Sequence, residues 1–269
     1  PAPATHPDPE SGRSHWAFQL PRESPAPVTT TPVNSKLDAF ILAKLQEQQL
    51  PAAKPADPHT LVRRLALDLT GLPPTAQQVE SFVSDPSETA WQQLVEQLLA
   101  SPAYGERWAR LWLDVARYAE DQAHIVGDDK SLTYPNAWQY RDWVIHAFNQ
   151  NMPYDQFITW QLAGDLLPGA TRDQQLATAF NRLHRQTNEG GSVNEEFRVQ
   201  YVEDRVETYG MAFLGLTVGC AKCHDHKYDP VPTRDYYSLY NVMKSSREPE
   251  EKPLLAKQPK HPEYDAYLA

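Results

Sequence analysis

The chain contains two cysteines, Cys220 and Cys223, which bracket Ala221 and Lys222 and are followed at once by His224. Two thiols about one helical turn apart match the two vinyl groups of a porphyrin, and a His directly after the second reaches the iron on the same side. The spacing therefore reads as a c-type haem attachment, with Cys220 and Cys223 as anchors and His224 as the near-side iron ligand. Because the motif uses every Cys in the chain, a disulfide framework and a four-thiolate zinc site are excluded. Three other chemistries compete. A thioredoxin-like redox pair normally sits in a βαβ setting, whereas this region reads as helical. A zinc site built from Cys220, Cys223, His224 and His226 would crowd all four donors into one short stretch. Two inert buried cysteines are the third.

The far side of such an iron is less defined. Small cytochromes place a Met several dozen residues downstream, and Met243 follows too closely to match. His226 is too near His224 to wrap round to the opposite face. Upstream stand Met211, His124, His146 and His184. His146 falls inside an amphipathic helix and reads as an ordinary histidine. His124 lies in an irregular segment and His184 just before a Gly-Gly break, both settings in which ligands are mounted. These two are the distal candidates, and a five-coordinate iron with an open site is the other arrangement.

Polar residues surround the motif. Asp225, His226, Lys227, Tyr228 and Asp229 read either as groups that orient and strengthen His224 or as a solvated turn. Glu189, Glu195, Glu196, Glu203 and Asp204 read as an exposed acidic helix N-terminus in preference to a cation site. Arg198 and Arg205 lie within reach of those acids and serve either them or the propionates of a haem.

The elements that must position these residues are helices. Asn34 or Ser35 caps a first helix, Asp57 or Thr60 a second that stops at Gly71 and Pro73-Pro74, Thr75 a short third, and Ser87 a fourth running to Pro102. An aromatic segment spans 104–120 and an irregular one 121–133. Helices follow over about 135–149, 153–166, 172–184 and 194–214; the motif comes next, then a last helix over about 233–243. No period-2 strand pattern and no internal repeat is evident, so the expectation is an all-α, multi-helix domain over 35–245 carrying one covalent c-type haem. It is preceded by an extended Pro-rich arm or linker, 1–34, docked through Trp16, and followed by a charged C-terminal linker, 246–269. The opening Pro-Ala-Pro-Ala suggests a piece of something longer, without a signal peptide in these residues. With 41% hydrophobic residues a sizeable core is expected, and the formal net charge of -10 excludes a nucleic-acid surface. No apolar run is long enough to span a membrane.

Beyond the motif, the whole stretch TNEGGSVNEEFRVQYVEDRVETYGMAFLGLTVGCAKCHDHKYDPVPTRDYYSLYN resembles the planctomycete-type cytochrome c-like domain family. So do SHWAFQLP, DAFILAKL, LVRRLALDLTGLPPT, SPAYGERWARLWLDVARYAE, PNAWQYRDWVIHAFNQNMPYDQFITWQLAGDLLP and LATAFNRLHRQTNEGG, which together extend the likeness over about residues 14–245. The resemblance implies a haem c domain within a large exported protein, often between an ordinary cytochrome c domain and a second planctomycete-specific domain, in a bacterium rich in polysaccharide catabolism. Cys220, Cys223 and His224 carry over directly, and His184 is the nearest match to a His that relatives place before the Glu-Gly-Gly segment. Three functions are expected to compete: electron transfer to a redox partner protein or neighbouring domains, a haem-dependent oxidase or peroxidase with an open iron, and a non-haem structural or binding module. Because c-type haem is attached after export, the expected location is periplasmic or otherwise extracytoplasmic.

Overall fold

Short polar side chains start most of the helices, because each accepts a bond from an amide of the first turn that has no partner within its helix. In the computed structural model, which describes residues 12–29, 33, 35–121, 134, 136–187 and 191–246, Ser35 caps α1 (Lys36–Glu47) and Asp57 caps α2 (Pro58–Thr70). Thr75 and Gln78 close a reciprocal capping box on α3 (Ala76–Ser84), and Ser87 caps α4 (Glu88–Leu99). Gly71 ends α2 in the left-handed conformation, φ +70°. Pro102, expected as a stop, is instead the first residue of α5 (Pro102–Val115), capped by Ser101; a proline without an N–H costs nothing there.

Then follow α6 (Ala137–Asn149), α7 (Tyr154–Ala163), α8 (Arg172–Ala177), α9 (Asn194–Tyr209) and α10 (Thr233–Ser245). Among the described residues there is no β-strand, so the all-α expectation holds. Three expected helices end early. The one after Pro153 tightens into a 3₁₀ turn at Gly164–Leu166, where a Cβ on Gly164 would lie 2.2 Å from the Gln174 carbonyl oxygen. The one after Thr171 tightens at Thr178–Arg182, where the Thr178 hydroxyl donates to the Gln175 carbonyl at 2.6 Å and competes with the helical ladder. The third, α9, ends in a π turn, Gly210–Leu214.

Three apolar clusters hold the helices. Val62, Ala66, Phe82, Leu94 and Leu98 join α2, α3 and α4. Ala109, Tyr140, Trp143, Val144, Ala147, Phe157, Leu176 and Phe180 form the largest, across α5 to α8. There α5 and α6 approach closely: Gly105 donates to Asn149 Oδ1 at 2.8 Å, and a Cβ on it would sit 2.5 Å from the Ile145 carbonyl oxygen. Gln161, fully buried, accepts from the Tyr140 hydroxyl at 2.6 Å and the Trp112 indole at 3.0 Å. The third cluster, Val202, Val206, Val218, Ala221, Tyr236 and Met243, binds α9 and α10 to the segment between them. Arg117, just past α5, adopts φ +53°, and its ion pair with Asp204 ties that turn to α9.

The expected docking of the N-terminal arm through Trp16 is corrected: Trp16 is 81% exposed. The arm touches the body through smaller residues. A Cβ on Gly12 would meet Pro230 at 2.6 Å, and Arg13 lies 3.9 Å from Asp235.

Candidate functional site

The motif sits on a 3₁₀ turn, Val218–Lys222, and that geometry sorts its side chains. With three residues per turn, positions i and i+3 share a side. Val218 and Ala221 form the first pair and are buried, 4% and 0% exposed, against Val202, Val206 and Tyr236. Gly219 and Lys222 form the second and meet two acids one turn apart on α9: Lys222 Nζ lies 2.7 Å from Glu203, and the Glu207 carboxylate rests where a Gly219 Cβ would be, 2.6 Å away. Cys220 and Cys223 form the third pair. Both thiols are unpaired and exposed. The bond from Glu203 holds the Lys222 ammonium above the ordinary lysine range, and burial pushes the Tyr236 phenol up.

Turning α9 into this segment requires a sharp reversal. Gly210 packs on Val218 without room for a Cβ, the Leu216 amide donates back to the Gly210 carbonyl at 3.0 Å, and Gly215 takes φ +64°. After the motif, His224 is exposed, and its Nδ1 lies 2.7 Å from the Asp225 carbonyl oxygen. A carbonyl only accepts, so Nδ1 carries the proton in this contact. The neighbouring loop is pinned at three points. Asp225 Oδ1 accepts from the Thr233 amide at 2.8 Å. The Tyr237 hydroxyl donates to the Lys222 carbonyl at 3.2 Å.

The third pin is His226, 5% exposed. Its Nδ1 accepts from the Tyr228 and Asp229 amides at 3.2 and 2.8 Å, so the proton is on Nε2, which donates to Thr217 Oγ1 at 3.2 Å. The 3.4 Å approach of Nδ1 to Asp229 Oδ2 is therefore not an ion pair. His226 faces inward as an anchor, and among the described residues no three His, Cys, Asp or Glu side chains converge on a metal position. Both observations tell against the zinc arrangement.

The remaining candidates lie elsewhere. His184 is buried and stacks on Tyr201 of α9, ring centroids 4.5 Å apart, with Nδ1 3.0 Å from the Arg185 carbonyl oxygen. Tyr201 and Glu203 are two residues apart and so diverge by about 200° around the helix. His184 thus packs on a flank of α9 other than the one that meets the motif turn. His124 and Glu189 lie outside the described residues. Met211 is 54% exposed on the π turn, His146 is exposed on α6, and Met243 is buried in the third cluster. Arg198 is held by Glu195, its Nε 2.7 Å from Oε2, and Arg205 Nε donates to the Tyr201 carbonyl at 3.3 Å. Three of the acids read as one exposed cluster are paired individually: Glu195 with Arg198, Glu203 with Lys222, Asp204 with Arg117. Sequence reasoning missed Glu207, Gly219 and Tyr237. The signal for the first two was the i, i+4 spacing of Glu203 and Glu207 against the i, i+3 spacing of Gly219 and Lys222.

Fold and site together define an all-helical domain that displays a C-x-x-C-H turn at its surface. Residues 36–248 match the model of the PSCyt2 family, described as a protein of unknown function (DUF1549), and the chain belongs to that family. No curated protein and no solved structure matches the chain. Among the described residues no helix is long and apolar enough to cross a membrane.

Proposed function

We propose that the chain is a c-type haem protein that transfers electrons outside the cytoplasmic membrane, to a redox partner protein or to neighbouring domains of a longer chain. The observation that carries this reading is that Cys220 and Cys223 share one exposed side of the 3₁₀ turn, with the adjacent His224 also exposed and its Nδ1 turned to the Asp225 carbonyl. The residues present fit the group on its near side. Cys220 and Cys223 would each add across one vinyl double bond, with sulfur bonding to one carbon and the thiol proton going to the other, so no oxidant or reductant is consumed. His224 would hold the iron through Nε2, and the Asp225 carbonyl behind it raises its donor strength. A bound haem supplies a one-electron iron couple. The net charge of -10 favours a basic partner. Extracytoplasmic location follows from this reading, because the attachment takes place after export.

The test is expression with a c-type haem maturation system. A pyridine haemochrome of the c type is expected from the native chain and its loss from Cys220→Ala/Cys223→Ala. Native protein without that signal refutes the reading and leaves a non-haem structural or binding module. The placement of His184 on another flank of α9 favours a second reading, an oxidase or peroxidase whose distal iron position takes an exogenous ligand. Low-spin six-coordinate bands support electron transfer; a high-spin ferric spectrum perturbed by azide or peroxide supports the enzyme.

A further inference from the structure

The N-terminal arm carries an aromatic turn that its own contacts build and no core covers. Residues Trp16–Phe18 form a 3₁₀ turn. It is closed by the His15 amide donating to the Gly12 carbonyl at 3.0 Å and by the Gln19 side chain donating to the Arg13 carbonyl at 2.6 Å. His15 packs its ring 5.6 Å from Trp16 and 6.2 Å from Phe18. Trp16 and Leu20 are 81% and 87% exposed and Phe18 is 42% exposed, an arrangement that leaves large apolar rings in water.

The point at which this turn is attached gives it a use. Gly12 packs on Pro230 and Arg13 lies beside Asp235. Pro230 belongs to the loop that leaves His224, and Asp235 stands in the first turn of α10, whose Thr233 amide is bound by Asp225. The arm is therefore tethered to the segment that positions His224, on the same stretch of chain as the exposed thiols. We infer that residues 12–20 form the outer wall of the haem site, Trp16 and Phe18 closing over the porphyrin that Cys220 and Cys223 hold while Gly12 and Arg13 fix the arm to the loop. The inference rests on the haem reading, though not on the choice between electron transfer and catalysis. Residues 12–20 supply rings and no iron ligand: His15 Nδ1 accepts from the Ala17 amide at 3.3 Å, which places the proton on Nε2.

The experiment compares trypsin cleavage after Arg13 and Arg22 in the full haem-loaded chain and in Cys220→Ala/Cys223→Ala. Loading is expected to slow cleavage at least about tenfold. In the loaded Trp16→Ala/Phe18→Ala chain the rate should return to that of the haem-free chain and the Soret band should shift, while the pyridine haemochrome content stays unchanged. These two rings pack on no core, so the variant keeps its helical circular dichroism. Equal cleavage of loaded and unloaded chains, or an unshifted Soret band in the variant, overturns the inference and leaves haem attachment standing. Absence of any c-type haemochrome in the native chain overturns both.

Discussion

His226 provides the sharpest test of how the loop behind the motif is held. His226→Ala removes the acceptor for the Tyr228 and Asp229 amides and the donor to Thr217, all in partly buried surroundings. A buried amide left without a partner costs about 1–3 kcal/mol. The Tyr228 amide belongs to an exposed residue and regains water, so one full penalty plus the lost imidazole packing gives about 2–4 kcal/mol. His226→Asn places Oδ1 near the position of Nδ1, keeps both amide bonds and loses only the link to Thr217, for about 0–1 kcal/mol. Thermal unfolding followed by circular dichroism reads the difference, since about 1 kcal/mol corresponds to roughly 2–4 °C for chains approaching this size. The alanine variant should melt about 5–15 °C below the native chain and the asparagine variant within about 4 °C of it. If asparagine falls as far as alanine, the lost ring volume holds the loop and the hydrogen-bond argument fails. A stable alanine variant would return His226 to the pool of candidate ligands.

Three further outcomes are expected. Gly105→Ala should lower the urea midpoint by the equivalent of about 1–3 kcal/mol, because the added methyl meets the Ile145 backbone; an unchanged midpoint would refute the close α5–α6 approach. Gln161→Leu should cost about 1–3 kcal/mol. The Trp112 indole keeps the Tyr140 oxygen at 3.1 Å, but the Tyr140 hydroxyl loses its acceptor; adding Tyr140→Phe should not recover the loss, because the indole then has neither acceptor. A double-mutant cycle of Lys222→Met and Glu203→Gln should give a coupling below about 1 kcal/mol, because side-chain exposures of 41% and 20% leave the pair open to water; a coupling of several kcal/mol would contradict that solvation.

Most helix starts were legible because Ser35, Asp57, Thr75 and Ser87 act locally, through side chains within three residues of the amides they cap. Ends were legible where a local signal exists, as at Gly71, and illegible where tertiary packing sets them. Gly164 and Gly210 stop their helices because another backbone or side chain arrives at the Cα, and no sequence window contains that partner. Pro102 was misread for a related reason: the same residue stops one helix or opens the next, and the Ser101 cap decides. At the site, the spacing grouped Cys220, Cys223 and His224, and all three are exposed on or beside the 3₁₀ turn. Arg198 was legible only as a partner for a carboxylate, since propionates and Glu195 present the same chemistry; its guanidinium binds Glu195. The Trp16 expectation failed because an aromatic residue among prolines suggests a core contact, whereas its neighbours Gly12 and Arg13 make the contact instead.

The acid-rich helix α9 shows how far charge pattern alone carries. Glu195, Glu196, Glu203 and Asp204 read as an exposed helix N-terminus; Glu195 and Glu196 are exposed, whereas Glu203 and Asp204 lie where α9 is packed on two sides. Val202 and Val206 face Ala221 and Tyr236 in the third cluster, Glu203 and Glu207 take the second side of the motif turn, and Tyr201 and Asp204 take His184 and Arg117 on another flank. A helix can occupy such a position with this composition only if its charges find partners one at a time, because unpaired carboxylates at partly buried positions are costly. That pairing shapes the motif turn. Val218 and Ala221 are committed to the core and Gly219 and Lys222 meet α9, so the exposed positions fall on the third side, with Cys220 and Cys223. The residues between and before the two cysteines are therefore constrained by packing: position 221 must be small, and position 219 must lack a Cβ or displace Glu207.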